Sequence, residues 1–123
     1  MKVEAKAMSV AADRAAELLK SLANRHRLLI VCQLIEKERS VGELTAFLGI
    51  RDSTVSQHLA VLRREGIVSA RRDGQTIWYS IGSPAARSVV ETLYRSFCAP
   101  AQVCAPARAA KPRRQSRNVA PRQ

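Results

Sequence analysis

The sequence predicts a mainly helical protein of the α+β class, with five helices and one two-stranded β-hairpin. Apolar residues recur at helical spacing along most of residues 9–98, capping residues and glycines separate the segments, and strict alternation occurs only between Ile67 and Ile81. The length of 123 residues suits a single domain with one core. We expect residues 1–8 to be a flexible lead, residues 9–98 to be the domain, and residues 99–123 to be a disordered basic tail.

The first three helices are predicted from composition and caps. Ser9 to Leu22 is rich in alanine, leucine and glutamate, which favour helix. Asn24 is a good N-cap for a second helix. That helix carries apolar residues at helical spacing, namely Leu28, Val31, Cys32 and Ile35. Ser40 and Glu43 form a capping box that opens a short third helix, and Gly49 marks the tight turn after it.

A fourth helix is predicted from about Ser53 to Glu65, with Asp52 or Ser53 as its cap and Gly66 at its end. Its expected core face consists of Val55, Leu59 and Leu62. A strand from Ile67 to Arg71 follows, and Asp73-Gly74 indicates a two-residue hairpin turn. In the return strand Ile77, Tyr79 and Ile81 face one way, and Thr76, Trp78 and Ser80 face the other.

Ser83 and Pro84 begin the last helix, which ends near Cys98. Two helices around a short turn, followed by a hairpin, make a winged helix-turn-helix, in which the second helix of the unit enters the major groove of DNA. Several residues of that helix and of the wing are therefore predicted to bind DNA. They are Arg51, Ser53, Thr54, Ser56, Gln57, His58, Arg63, Arg64, Arg71, Arg72 and Gln75.

The chemistry of these side chains suits DNA. Gln57 can bond adenine in a bidentate manner, and the arginines can bind phosphates. The alternative is an ordinary solvated helix face and hairpin. His58 is expected to face DNA or to be partly buried, and His26 to be exposed on the second helix. Neither histidine has a second ligand at a spacing typical of metal sites.

The charge of the chain favours a polyanionic partner, with nucleic acid ahead of an anionic membrane. There are 21 Lys and Arg against 10 Asp and Glu, which gives a net charge of +11. Removing from that total the six cations that follow Ala105 leaves +5 on the rest of the chain, which is only moderately basic. The longest apolar run, Leu28 to Cys32, is far too short to span a membrane, and no secretory signal is evident. We therefore expect a cytoplasmic protein with reduced thiols.

Three stretches together resemble the ArsR/SmtB family of bacterial repressors. They are Leu22 to Ile30, the Ser-Thr-Val-Ser-Gln-His-Leu helix from Ser53 to Arg63, and the Arg-Arg-Asp-Gly wing within Gly66 to Gln75. The resemblance covers roughly Ala16 to Cys98. It implies a homodimer through the first and last helices, an imperfectly palindromic double-stranded operator, and release when an inducer binds.

The chain departs from the metal-sensing members of that family. The metal-thiolate members have a Cys-x-Cys pair in the helix before the turn, whereas residues 40–48 contain no cysteine. The zinc-sensing members carry Asp and His pairs in the last helix, and residues 83–97 contain neither. We therefore expect no metal site and no cofactor.

The remaining cysteines resemble those of the persulfide-sensing BigR/SqrR branch of the family, on the segments Ile30 to Leu34 and Val90 to Cys98. That resemblance implies that Cys32 and Cys98 become linked by a di- or polysulfide, with sulfane sulfur or polysulfide as the inducer. From the residues alone, Cys32 could be a small core hydrophobe, and Cys98 and Cys104 could be unremarkable tail residues.

Two alternatives to this switch stay open. Cys32, Cys98 and Cys104 could instead bind arsenite or another thiophilic metalloid, since three thiolates are soft ligands. The chain could also be a thiol-independent DNA-binding protein. An enzyme is not expected, because a thiol enzyme needs an activating base or a Cys-x-x-Cys motif, and neither is visible.

Overall fold

The computed structural model describes residues 1–98, and within this range the chain forms five helices and three strands. In chain order they are α1 (Ala5–Leu22), α2 (Arg25–Glu36), β1 (Arg39–Ser40), α3 (Val41–Leu48), α4 (Asp52–Arg64), β2 (Val68–Asp73), β3 (Thr76–Ile81) and α5 (Pro84–Cys98). The predicted winged helix-turn-helix with five helices is confirmed. Met1–Val90 is one compact unit, and a second begins at Glu91. The tail predicted at residues 99–123 lies outside the described residues.

The core of the first unit is formed by every helix of the fold and by the base of the wing. Its buried members are Leu22, Ile30, Val31, Leu34, Leu44, Val55, Leu59, Leu62, Ile67, Val68, Ala86 and Val90. Tyr79 and Ile81 of β3 pack against this cluster, as the predicted alternation requires. Because α4 buries one whole face here, its opposite face has a fixed orientation.

The predicted N-caps of α2, α3 and α5 are present. The side chain of Asn24 accepts hydrogen bonds from two backbone N–H groups of the first turn of α2, at 3.0 and 3.1 Å. Ser40 and Glu43 form the complete capping box of α3. Gly49, with φ 70°, has the left-handed conformation that ends α3, and the Ser83 hydroxyl accepts from a backbone N–H of α5 at 3.1 Å.

Two helix boundaries differ from the prediction. α1 begins at Ala5 and not at Ser9, so half of the expected flexible lead is helical, because residues 5–8 are alanine, lysine and methionine, which favour helix. The N-cap position of α4 is Arg51, so the prediction that Asp52 or Ser53 caps it was wrong. Asp52 is instead the first helical residue, where its carboxylate interacts favourably with the positive end of the helix dipole.

The sheet has a third strand that the sequence pattern did not predict. Its order is β1-β3-β2, all antiparallel, with Arg39 opposite Tyr79 and Ser40 opposite Trp78. A strand of two residues is too short to produce an alternating pattern, so it escaped detection. The hairpin turn is also one residue later than predicted, because Asp73 still pairs with Thr76 and the loop is Gly74-Gln75.

Two arginines fix the C-terminal end of α2. The last carbonyl groups of a helix lack partners within it and carry partial negative charge. Here the Gln33 carbonyl accepts from Nε of Arg39 at 3.2 Å, and the Ile35 carbonyl accepts from Nη1 of Arg87 at 3.3 Å. The end of α2 is therefore tied to β1 and to the first turn of α5.

Candidate nucleic-acid interface and thiol residues

Helix α4 is the second helix of the helix-turn-helix and is called the recognition helix below. One face of it is fully buried, and this burial fixes its position. Val55 and Leu62 are completely buried, and Leu59 is 1% exposed. The left-handed Gly49 makes the sharp turn that sets α3 across α4. These contacts present the remaining face of α4 outward in a single orientation, which a helix that reads DNA needs.

Most of the predicted contact residues lie on the outward side of α4 or beside it. Arg51, Ser53, Ser56, Gln57, Arg63 and Arg64 are exposed, whereas Thr54 and His58 are half-buried. The N-terminal half of this face is polar and reaches solvent, and the C-terminal half carries two arginines. Hydrogen-bonding groups are thus available for base edges, and cations for phosphates.

Both histidines belong to one small cluster. The rings of His26 and His58 stack with centroids 5.8 Å apart and planes inclined by 28°. The expectation that His26 is exposed was therefore wrong, since it is half-buried and its Nδ1 has no hydrogen-bond partner among residues 1–98. The stack joins the first turn of α2 to the middle of α4, a long-range contact that local sequence patterns do not encode.

The electrostatics of this cluster disfavour a charged imidazole. Burial lowers the pKa of His58 below its ordinary value, and electrostatic repulsion from the neighbouring Arg27 and His26 lowers it further. Arg27 is itself fixed, because its Nε donates to the Ser21 carbonyl at 2.6 Å. His58 is thus suited to remain neutral and packed near pH 7.

The wing carries Arg71, Arg72 and Gln75, all of which are exposed. Arg71 forms a two-point ion pair with Glu38, a residue that no sequence motif indicated. Gly74, with φ 64°, has the conformation that a tight hairpin turn demands. The wing thus offers one arginine that is already paired and a second, Arg72, farther toward the tip.

The recognition helix and the wing meet in an open cleft. Its lining includes Ser56, Ala60, Arg63 and Arg64 of α4, together with Tyr79 of β3. Tyr79 was predicted only as a residue of one strand face, yet its ring joins the core while lining this cleft. The cleft thus joins α4 to the central strand of the sheet, and the predicted wing residues Arg71, Arg72 and Gln75 are not among its lining.

The two cysteines within residues 1–98 have different surroundings, and both are thiols. Cys32 is half-buried on α2 and packs against the core cluster. Cys98 is the last residue of α5 and is exposed. Cys104 lies outside the described residues. Within the described range, no group of three or more His, Cys, Asp or Glu side chains is arranged to hold a metal ion.

Among residues 1–98, every helix is too short or too polar to cross a membrane.

Similarity to known proteins supports the assignment of this chain as a winged helix-turn-helix protein. Residues 24–70 match the family described as bacterial regulatory protein, arsR family. The biofilm growth-associated repressor of Agrobacterium fabrum is 47% identical over 96 residues, which cover 78% of this chain and 82% of that protein. The transcriptional activator HlyU of Vibrio cholerae is 44% identical over 89 residues, covering 72% and 82%.

Solved structures support the same assignment. The transcriptional repressor BigR from Xylella fastidiosa is 43% identical and superimposes with a TM-score of 0.74, over 79% of this chain and 99% of that one. A homodimeric winged helix-turn-helix DNA-binding domain from Mycobacterium bovis is 28% identical, with a TM-score of 0.65, over 78% and 89%. The chain is a transcriptional regulator with a DNA-binding fold and not an enzyme. It belongs to the arsR family of bacterial regulatory proteins.

Proposed function

We propose that this chain is a homodimeric repressor that leaves its operator when Cys32 and Cys98 become linked by reactive sulfur. The DNA-binding half of the proposal rests above all on α4. Its apolar face is fully buried, and its exposed face carries Gln57 among small polar side chains, with Arg63 and Arg64 beyond. Gln57 reads a base in the major groove, and the arginines bind phosphates.

The dimer is supported by apolar side chains that are exposed at both ends of the described chain. On α1, Val10 is 84% exposed and Leu19 is 55% exposed, and in α5 Tyr94 and Phe97 are 58% and 82% exposed. A contiguous patch of exposed apolar side chains marks a protein–protein interface, and a homodimer through α1 and α5 would bury these four side chains. A two-fold dimer would place two copies of α4 on two half-sites about 34 Å apart, so the operator would be an imperfect palindrome.

We assign repression to this chain because relatives are named as repressors, although another relative is named as an activator. A bound dimer blocks transcription when its operator overlaps a promoter. Loss of binding then starts transcription, so the inducer is whatever disturbs the spacing of the two recognition helices. The direction is testable with a reporter gene placed behind an operator that the protein selects from a randomised duplex pool.

The switch chemistry consists of two thiol exchange steps. Cys98 has the more exposed thiol and is the one we assign to the first step. After losing its proton it attacks the outer sulfur of a persulfide or polysulfide, the sulfur–sulfur bond breaks, and a thiolate leaves. The Cys32 thiolate then attacks the sulfur chain held on Cys98. Expulsion of hydrosulfide closes a disulfide, or a longer bridge when the chain contains additional sulfur atoms.

The experiment combines mass spectrometry with operator binding on the same samples, after separate exposure to polysulfide, peroxide and arsenite. Cys32→Ser and Cys98→Ser should each bind the operator when reduced and fail to release it after polysulfide, with no intramolecular sulfur bridge. Cys104→Ser is the matched control and should still respond. If Cys104→Ser loses the response while Cys32→Ser keeps it, the pairing is wrong, and release by arsenite alone would favour a metalloid site.

A further inference from the structure

The wing is held by a two-point ion pair on the face of the sheet that lies away from the core. Nε of Arg71 donates to Oε2 of Glu38 at 3.0 Å, and Nη2 donates to Oε1 at 2.6 Å. A guanidinium that meets both oxygens of a carboxylate is held in direction as well as in distance. The same hydrogen bonds lower the pKa of Glu38, so its carboxylate stays charged at neutral pH.

The position of this pair in the sheet gives it a mechanical role. Glu38 lies in the connection between α2 and β1, whereas Arg71 lies on β2, and the central strand β3 runs between them. Trp78 of β3 is directly opposite Arg71 in the ladder and lines the same open depression as Glu38 and Arg71. The ion pair therefore spans β3 and joins the outer strand of the wing to the end of α2.

The anchor on the α2 side is itself fixed. Arg39, the residue after Glu38, donates to the Gln33 carbonyl at 3.2 Å and forms an ion pair with Glu36 at 3.2 Å. Arg39 also pairs with Tyr79 in the sheet. Glu38 thus holds Arg71 from a position next to a residue that is bound both to the end of α2 and to β3.

We propose that Arg71 is a wing-positioning residue anchored by Glu38, and that Arg72 is the arginine of the wing that binds phosphate. Arg71 has its charge balanced by Glu38 and by Asp73 at 3.8 Å, so a phosphate would have to displace two charge-assisted hydrogen bonds. Arg72 is exposed one residue nearer the tip, opposite Ile77. This inference rests on the proposed DNA-binding function and refines the residues that carry it.

The test uses the chain's single tryptophan, Trp78, which reports on the pair without DNA. Acrylamide quenching of Trp78 is measured for Glu38→Gln, Arg71→Gln, Arg71→Lys and the double variant Glu38→Gln/Arg71→Gln. Glu17→Gln is the matched control, since it removes the same charge from an exposed side chain on α1 that takes no part in the wing or its anchor. Affinity for a duplex of arbitrary sequence is then titrated with salt for Arg71→Gln and Arg72→Gln.

The positioning role predicts a specific pattern. Each single variant of the pair, including Arg71→Lys, makes Trp78 more accessible to the quencher. The double variant makes Trp78 no more accessible than either single variant does, because all of them break the same interaction. Lysine keeps the charge but not the two-point geometry. Arg71→Gln leaves the salt slope unchanged, whereas Arg72→Gln lowers it by about 0.9 for each phosphate that the protein no longer neutralises.

Two results would overturn the positioning role of Arg71. One is a salt slope that falls as far in Arg71→Gln as in Arg72→Gln, with Arg71→Lys restoring it, because this is the behaviour of a residue that binds phosphate. The other is Trp78 quenching in Glu38→Gln that equals that of the Glu17→Gln control. An unchanged slope in Arg72→Gln would overturn the assignment of phosphate binding to Arg72. Absence of duplex binding by the unaltered chain would instead count against the proposed DNA-binding function, and the Trp78 pattern decides the positioning role by itself.

Discussion

Gln57→Ala should separate the reading of sequence from general affinity for DNA. Gln57 is exposed on α4, two residues after the buried Val55 and two before the buried Leu59, so its side chain is not part of the core. Alanine has the highest helix propensity, so the substitution should leave the unfolding free energy unchanged or slightly raised. Any loss of binding is then attributable to the missing amide.

The size of the effect follows from the two half-sites. A good bidentate pairing between glutamine and adenine contributes about 1–3 kcal/mol of discrimination. A dimer loses this pairing twice, so affinity for the selected operator should fall by about thirtyfold or more, at about 1.4 kcal/mol for each factor of ten. Affinity for a duplex of arbitrary sequence should change little, because that complex depends on phosphates.

Fluorescence anisotropy with both duplexes, at one fixed salt concentration, measures these affinities. Arg72→Gln is the control, since it should weaken binding to the two duplexes by similar factors. Equal losses on both duplexes for Gln57→Ala would remove this residue from base reading. The exposed face of α4 would then not read bases through Gln57, its central residue.

Three further predictions concern stability and charge. Asn24→Ala should lower the unfolding free energy by about 1 kcal/mol in urea denaturation, because two backbone N–H groups lose their cap, and Asn24→Ser should retain most of it. Because the pKa of His58 is lowered in the folded state, its unfolded form binds more protons. The contribution that a neutral His58 makes to stability should therefore be fully present above about pH 6.5 and be lost as the pH falls below that value, and His58→Gln should flatten the profile measured by thermal melting. Deletion of residues 105–123 removes six cations and should weaken binding to arbitrary duplex DNA while leaving the melting temperature unchanged; a large fall in that temperature would contradict it.

Local signals in the sequence predicted most of the helices and turns. The capping box of Ser40 and Glu43, the Asn24 cap and the left-handed Gly49 act over two to four residues, so each can be recognised without knowledge of the fold. The same is true of the alternating β3, whose apolar face packs on the core as expected. Boundaries were less accurate, because alanine, lysine and methionine extend α1 without any distinctive signal.

The features that escaped prediction depend on residues far apart in the chain. Arg71 and Glu38 are 33 residues apart in sequence, and neither position shows a local pattern that indicates an ion pair. The stack of His26 on His58 likewise joins two helices that only the folded core brings together. As a result, the composition of the candidate interface was predictable, whereas the contacts that orient it were not.

These orienting contacts converge on α2, the helix that carries Cys32. At its start, His26 stacks on His58 of the recognition helix, and at its end the Gln33 carbonyl, one residue after Cys32, is held by Arg39 beside the wing anchor. A helix packed in a close-packed core does not deform gradually, so displacement at one point moves its ends as well. A sulfur bridge formed on Cys32 would therefore act on α4 through the first turn of α2 and on the wing through its last turn. This arrangement predicts that the two DNA-binding elements respond together to such a bridge, which a repressor needs in order to release bases and phosphates in one step.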